Sequence, residues 1–420
     1  MANHNNVHLE NGGFREIDFM NIGNDCVLLT PNIPAHYTDH GQLQFCSVIL
    51  EDKVEINFGS TIMPLTQYQH GSKLRPYAVT VKGQICEEDT EYFGNPCKAD
   101  KSMKLIEYAA LLFPGQGSQY PFMLDNVKQL PSVQKLIESA NKILGYDVIS
   151  KSGDDSSEIN DTIYSQPLML IAGLAHAELM KSKHPTIFTK IRAVAGFSLG
   201  EITALCYAGA FSFEDALKLV KVRAEAMASC NGGAMCNVRG LPLKEVKMLC
   251  KNHRCTVANI ICNHKRDDLI KFNIFVCAGS ENDISSLVKS VEAQESDDCK
   301  AKKLRVSGAF HSKAMSPARV HLDRVLDDIS ITLPKDILVY SNLTGSPYSS
   351  VKEIRRNLSR HIVSPVQWHQ TMESLCIDDK ISTFVECGPQ KVLTKVAQHA
   401  YLKCHQDLES QNISVLTSDS

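Results

Sequence analysis

The stretch that most limits what this chain can fold into runs from residue 191 to residue 205. Residues 191–195 are a largely apolar run that reads as a buried strand of a parallel sheet. Gly196-Phe197-Ser198-Leu199-Gly200 follows, and after it a run of helix formers. Strand, G-x-S-x-G and helix in that order describe a sharp turn that lifts a serine out of the sheet. The amide after the serine, that of Leu199, then opens a helix, where unpaired N–H groups and the helix dipole favour negative charge. A glycine-flanked turn serine has the same short pattern, so the rest of the chain must decide between them.

The remaining grammar from residue 105 is α/β. Residues 108–113 form a short apolar strand leading into Pro114-Gly-Gln-Gly-Ser-Gln119, a loop able to offer backbone N–H groups and a side-chain amide to a ligand. Helices are expected near 132–144, 166–181 and 213–228, the last placing Arg223 one turn beyond Leu219. Between residues 231 and 306 the pattern is strand (234–239), helix (242–252), strand (256–261), strand (273–278), helix (281–293), strand (302–306). This βαββαβ order predicts a ferredoxin-like subdomain inserted between two α/β segments, with a cleft between the bodies. The main chain resumes with His311 at a strand end, a helix over 319–329, strands at 337–342 and from 383, and a helix over 391–402.

The expected organisation is therefore an α/β-hydrolase-like parallel-sheet core, residues 105–230 and 307–404, interrupted by the subdomain at 231–306. Residues 405–420 read as a frayed polar tail. Residues 1–104 differ in texture, with β-type runs at 47–50 and 77–81 and no catalytic constellation; they read as a β-rich or partly disordered region of unknown role.

Composition excludes several functions. A net charge of -3 and a single Trp provide neither a basic face nor a stacking platform for nucleic acid. The longest apolar segment, 168–180, is broken by His176 and Glu178 and is too short to span a bilayer, so no membrane insertion is expected. Fifteen cysteines, an odd number without C-x-x-C pairs, argue for reduced thiols and against a disulfide framework or a zinc site. The N-terminus has no apolar signal core, and its first Arg is Arg15, so the residues alone suggest no transit peptide and a cytoplasmic location.

A serine needs a base to become a nucleophile. His311 follows the strand that closes the insertion and so can face the same cleft as Ser198. Of the acids between them, Asp283, Asp297 and Asp298 sit on the subdomain and none ends a strand of the main sheet, which hints at a histidine oriented by something other than a carboxylate.

From about residue 111 to residue 402 the chain resembles malonyl-CoA:acyl carrier protein transacylases. Seven marks in order carry the resemblance: Pro114-Gly-Gln-Gly-Ser-Gln119, Gln166-Pro167, Gly196-Phe-Ser-Leu-Gly-Glu201, Val222-Arg-Ala-Glu-Ala-Met227, Val306-Ser-Gly-Ala-Phe-His311, Ser364-Pro-Val-Gln-Trp368 and Glu386-Cys-Gly-Pro389. Phe197 and the wording around Arg223 and His311 look like the animal mitochondrial branch. The resemblance implies that Ser198 is acylated and that His311 is the general base, held by a backbone carbonyl near Gln367. It implies an oxyanion hole from the amides of Gln116 and Leu199, Arg223 on the malonyl carboxylate, and Phe310, Gln166 and Asn259 in the pocket. A bulky Phe310 favours malonyl over methylmalonyl. Lys300, Lys302 and Lys303, with Arg305, could meet coenzyme A phosphates or an acidic carrier protein, as could Arg355, Arg356 and Arg360. The implied partners are acyl carrier protein and coenzyme A thioesters; the implied enzyme is a monomer of the mitochondrial matrix with no metal or organic cofactor. The charged run 264–268 after Asn263 departs from the family's usual turn. A serine thioesterase or esterase, and a non-catalytic docking module for carrier protein, are the competing readings. Arg223 speaks against the first, and the intact Ser198, His311, Arg223 and Gln116 against the second.

Overall fold

The computed structural model describes residues 108–394 apart from 154–156, 231, 266 and 295, together with residue 396, residues 414–417 and four short strands in the first 104 residues. The chain divides into two compact units, Met1–Lys104 and Leu105–Ser420. In the first, β1 (Ala35–Tyr37) pairs antiparallel with β2 (Leu43–Phe45), and β3 (Glu55–Ile56) pairs parallel with β4 (Lys73–Leu74). The β-type runs expected at 47–50 and 77–81 lie outside the described residues.

The second unit contributes β5 (Tyr108–Phe113), β6 (Ile191–Gly196), β7 (Gly233–Arg239), β8 (Thr256–Cys262), β9 (Ile274–Ser280), β10 (Lys300–Lys303), β11 (Leu338–Val339), β12 (Ile381–Glu386) and β13 (Ser414–Thr417). Five of these form one parallel sheet in the order β11-β6-β5-β12-β13. Its central strands are apolar on both faces, as a sheet covered on both sides requires. Leu111, Phe113 and Val194 join one buried cluster with the helices Thr162–Lys183 and Leu199–Tyr207. Ala110, Leu112, Ala193 and Ala195 point the other way, onto Trp368, Met372 and Phe384. Each large side chain so enclosed contributes roughly 1.5–3 kcal/mol.

Two helices beside the sheet have well-defined starts. Asp161 accepts from the Ile163 N–H to cap Thr162–Lys183, and Ser212 accepts from the Asp215 N–H to cap Phe213–Ser229. These helices pack on each other, which brings Gln166 of one against Arg223 of the other.

Between β6 and β11 the chain leaves the sheet to build a second, antiparallel sheet in the order β10-β7-β9-β8. One face is closed by the helices Leu243–Asn252 and Glu281–Glu292 over Cys236, Val238, Phe275 and Cys277. Alternate residues Met235, Val276 and Ala278 face the main body instead and join its core. The two bodies are also zipped by backbone: Ile260 N–H donates to Val366 O and Val366 N–H to Ala258 O, each at 2.9 Å.

Three expectations need correction. The strand expected over 302–306 is Lys300–Lys303, an edge strand whose lysines stay exposed while Ala301 is buried; lysine is a common guard of sheet edges, and the apolar Val306 belongs to the loop beyond it. The strand expected over 337–342 shrinks to Leu338–Val339, beyond which Tyr340 keeps only an isolated bridge to Pro347. The tail is not wholly frayed, because Ser414–Thr417 pairs in parallel with β12 as an edge strand. Most of the helix expected over 391–402 lies outside the described residues. Among the described residues no helix is long and apolar enough to cross a membrane.

Candidate active site

Ser198 stands between β6 and the helix Leu199–Tyr207 with φ +53° and ψ −110°, a conformation side chains rarely adopt. The flanking glycines make this turn possible: a Cβ on Gly196 would lie 1.8 Å from Gly200 O, and one on Gly200 would lie 2.0 Å from Phe113 O. His311 shares the unusual backbone, with φ +56°. Strain of this kind survives only where the surroundings over-determine it, as they do at reacting groups.

Ser198 Oγ and His311 Nε2 are 2.7 Å apart. The other ring nitrogen, Nδ1, lies 3.0 Å from the backbone carbonyl oxygen of His361. A carbonyl can only accept, so Nδ1 carries the proton and Nε2 is bare to receive the one on Ser198. Burial, reinforced by the Arg223 charge and opposed by the His361 and Ser364 backbone, pushes the imidazole down to about 4. His311 is therefore neutral at physiological pH, with Nε2 unprotonated and free to accept a proton. The carbonyl expected near Gln367 belongs to His361, six residues earlier. Gln367 instead opens the helix Trp368–Glu373 and donates its N–H to Asn342 O at 2.7 Å. His361 closes the helix Val351–His361, where carbonyls have no partner within the helix, which is why this one can reach the ring.

Arg223 is only 2% exposed, yet its guanidinium reaches the reacting atoms. Nη2 donates to Ser198 Oγ at 3.2 Å, and Nη1 donates to Gln166 Oε1. Gln166 Nε2 donates to Thr162 Oγ1 at 2.9 Å, and Thr162 donates to Gln116 Oε1 at 2.9 Å. One chain of hydrogen bonds thus joins the glycine-rich loop to the arginine, and Thr162 is a member that sequence reasoning missed. Burial lowers Arg223 to about 10, partly offset by Glu201, so it remains a cation at neutral pH.

These groups open on a cavity of about 1120 Å³ whose lining includes Gln116, Phe197, Asn259 and Phe310. Leu199 is buried as the first residue of its helix. Among the described residues Asn259 Oδ1 is buried without a hydrogen-bond partner, an acceptor left for an incoming donor. Phe197 meets Trp368 edge to face at 5.4 Å. The structure does not bring Lys300, Lys302 or Lys303 into this cavity; they are exposed on β10, and Lys303 is paired with Glu281. Besides Arg223, the Arg and Lys side chains that line it are Arg239, Arg305 and Lys391. Arg355 and Arg356 bond to Ile329 O and Asn357. No cluster of three metal-ligating side chains occurs among the described residues.

A bare imidazole nitrogen on a strained serine, at the carboxyl edge of a parallel sheet and beside a buried cation, is the geometry of α/β proteins that carry an acyl group on serine. The chain belongs to the acyl transferase family, whose domain model, described as "Acyl transferase domain", matches residues 110–417. A probable mitochondrial malonyl-CoA-acyl carrier protein transacylase of Drosophila melanogaster is 33% identical over 319 residues, 71% of this chain and 81% of the relative. The mitochondrial malonyl-CoA-acyl carrier protein transacylase of Homo sapiens is 31% identical over 73% of this chain and 80% of its own length. Among solved structures, the malonyl CoA-acyl carrier protein transacylase of Coxiella burnetii superposes with a TM-score of 0.65 at 26% identity, covering 75% of this chain and 94% of that one. A malonyl-transacylase bound to its type II PKS acyl-carrier protein gives 0.64 at 26% identity, covering 74% and 95%.

Proposed function

We propose that this chain moves a malonyl group from malonyl-CoA to the phosphopantetheine thiol of acyl carrier protein in fatty acid synthesis, by way of an ester on Ser198. The observation that carries this reading is Arg223, a fully enclosed cation with Nη2 3.2 Å from the nucleophile. In malonyl the carboxylate carbon lies roughly 2.5 Å from the thioester carbonyl carbon, two bonds of about 1.5 Å apart. A reacting carbonyl about 3 Å from Oγ therefore leaves its carboxylate within reach of that guanidinium.

His311 takes the Ser198 proton as Oγ attacks the thioester carbonyl. The Leu199 and Gln116 amides stabilise the oxyanion. On collapse of the tetrahedral adduct, His311 returns the proton to the departing sulfur of coenzyme A. The carrier thiol then repeats the sequence in reverse, with His311 again as base. Arg223 holds the carboxylate by two parallel bonds, a geometry lysine does not reproduce. Phe310 narrows the pocket against a branched acyl group, and Asn259 offers its free acceptor. Arg239, Arg305 and Lys391 meet the phosphates of the coenzyme, with Lys300, Lys302 and Lys303 further out toward the acidic carrier. The reading needs no cofactor beyond the thioester substrate.

The parallel-sheet body, 105–230 and 307–404, is read as a hydrolase-like core and 231–306 as a ferredoxin-like insertion, on the strength of the element order and the order β10-β7-β9-β8. The mitochondrial matrix is the proposed location, supported by the names of the animal relatives.

Intact-protein mass after brief exposure to malonyl-CoA tests the function. A malonyl adduct absent from Ser198→Ala, and discharged onto added holo acyl carrier protein, is the expected result. Release of coenzyme A with neither adduct nor delivery to carrier would make the protein a hydrolase and end the proposal.

A further inference from the structure

The turn that carries Ser198 is gripped from outside by one side chain. Asn342, fully buried just beyond β11, accepts from the Ser198 N–H at 2.7 Å through Oδ1 and donates from Nδ2 to Gly196 O at 2.6 Å. The two bonds straddle the elbow, holding the residue before it and the residue at its apex. Asn342 is itself oriented from two sides. Its N–H donates to Glu201 Oε1 at 3.1 Å, and its carbonyl accepts from the Gln367 N–H at 2.7 Å.

Glu201 sits three residues past the nucleophile and is 1% exposed. Tyr348 Oη donates at 2.5 Å to the same Oε1 that holds Asn342. The second carboxylate oxygen lies 3.5 Å from Nδ1 of His361, the residue whose carbonyl anchors His311. One buried carboxylate thus touches both the clamp on the serine and the residue carrying the anchor of the base.

We propose that Asn342, held in place by Glu201, is a positioning residue for the Ser198–His311 pair. It stabilises the left-handed backbone of Ser198, so that Oγ meets Nε2 while the Leu199 N–H faces the developing oxyanion. The carboxamide suits this task because one group must supply an acceptor and a donor to backbone atoms two residues apart. The inference rests on Ser198 and His311 as the reacting pair and is independent of which acyl group they carry.

The test uses the full chain with Asn342→Ala, Asn342→Asp, Glu201→Ala and Glu201→Gln. Asn342→Asp keeps an acceptor for the Ser198 N–H but sets an oxygen against Gly196 O; Glu201→Gln keeps an acceptor for the Asn342 N–H. Readouts are the rate of Ser198 labelling by a fluorophosphonate, and kcat and KM for malonyl-CoA, each per folded molecule as measured by thermal unfolding. Both Asn342 variants are expected to slow labelling and kcat at least tenfold with KM within threefold of the parent. Glu201→Ala should behave like Asn342→Ala, and Glu201→Gln should recover to within about fivefold of the parent. A folded Asn342→Ala whose labelling and kcat stay within twofold of the parent overturns the proposal; if that variant does not fold, the same result in Asn342→Asp does so. Should the parent label at Ser198 yet refuse malonyl, the proposed function falls and the labelling comparison still stands.

Discussion

Replacing Arg223 with alanine should change which acyl group the enzyme accepts more than how fast it works. The malonyl carboxylate would enter a site where, among the described residues, this guanidinium is the cation hydrogen-bonded to Ser198 Oγ. Leaving a buried charge without its partner costs about 3–5 kcal/mol. The cavity, at about 1120 Å³, has room for water to follow the truncation, which argues for the lower end. About 3 kcal/mol corresponds to a loss of roughly 150-fold in kcat/KM for malonyl-CoA. Acetyl-CoA has no carboxylate to lose, so its kcat/KM should change by less than about threefold from this cause. Loss of the Nη2 bond to Ser198 would slow both substrates alike and cancels in their ratio. Arg223→Lys keeps the charge without the fork and should fall between, near tenfold. The assay is initial-rate transfer to holo acyl carrier protein from each thioester. A malonyl-to-acetyl ratio that moves less than threefold in Arg223→Ala would refute the assignment of the carboxylate to this residue.

His311→Ala should lower Ser198 acylation by about 10²–10⁴-fold, the usual range for a general base, as read by quenched-flow mass spectrometry. Because burial depresses this imidazole from 6.5 to about 4, the base stays unprotonated well into acid, and kcat/KM should hold down to about pH 5 and fall with a midpoint near 4; a midpoint near 6.5 would contradict it. The same shift makes His311 a destabilising influence as pH falls from 6.5 to 4, since the unfolded chain takes up that proton first, while Glu201, raised by burial from 4.5 to about 7, acts in the opposite sense over 4.5–7. Phe310→Ala should improve methylmalonyl relative to malonyl by roughly 10–100-fold, the worth of about 1–3 kcal/mol for one methyl group, measured by competition between the two thioesters. Gly196→Ala should lower stability by more than about 3 kcal/mol in denaturant titration, because its methyl would sit 1.8 Å from Gly200 O and both atoms are fixed by backbone.

What the sequence revealed and what it concealed divide along a physical line. Ser198, Arg223 and His311 could be read from it because their chemistry lies in their side chains, and Ser198 also sits where a strand passes into a helix. Asn342 is an asparagine after a two-residue strand, with nothing local to announce that it reaches across 144 positions to the elbow. Thr162 and Glu201 look like an ordinary helix start and an ordinary early helical carboxylate until their partners are known. The anchor of His311 is expected near Gln367 and lies at His361, because a carbonyl at a helix end has no signature in the amino acid that bears it. The terminal strand Ser414–Thr417 is hidden for a related reason: a four-residue strand near the end of a largely polar tail has its partner in the distant β12 edge.

That carbonyl has a genetic consequence. In a serine–histidine–aspartate arrangement a single codon change can delete the group that aligns the imidazole. Here the aligning oxygen belongs to the peptide unit, which every codon specifies, so missense change at position 361 can alter packing against Glu201 but cannot erase the acceptor. The weak point moves from the identity of a residue to the path of the chain. Insertions, deletions or prolines that redirect the end of the helix Val351–His361 are the lesions this catalytic pair is least able to absorb.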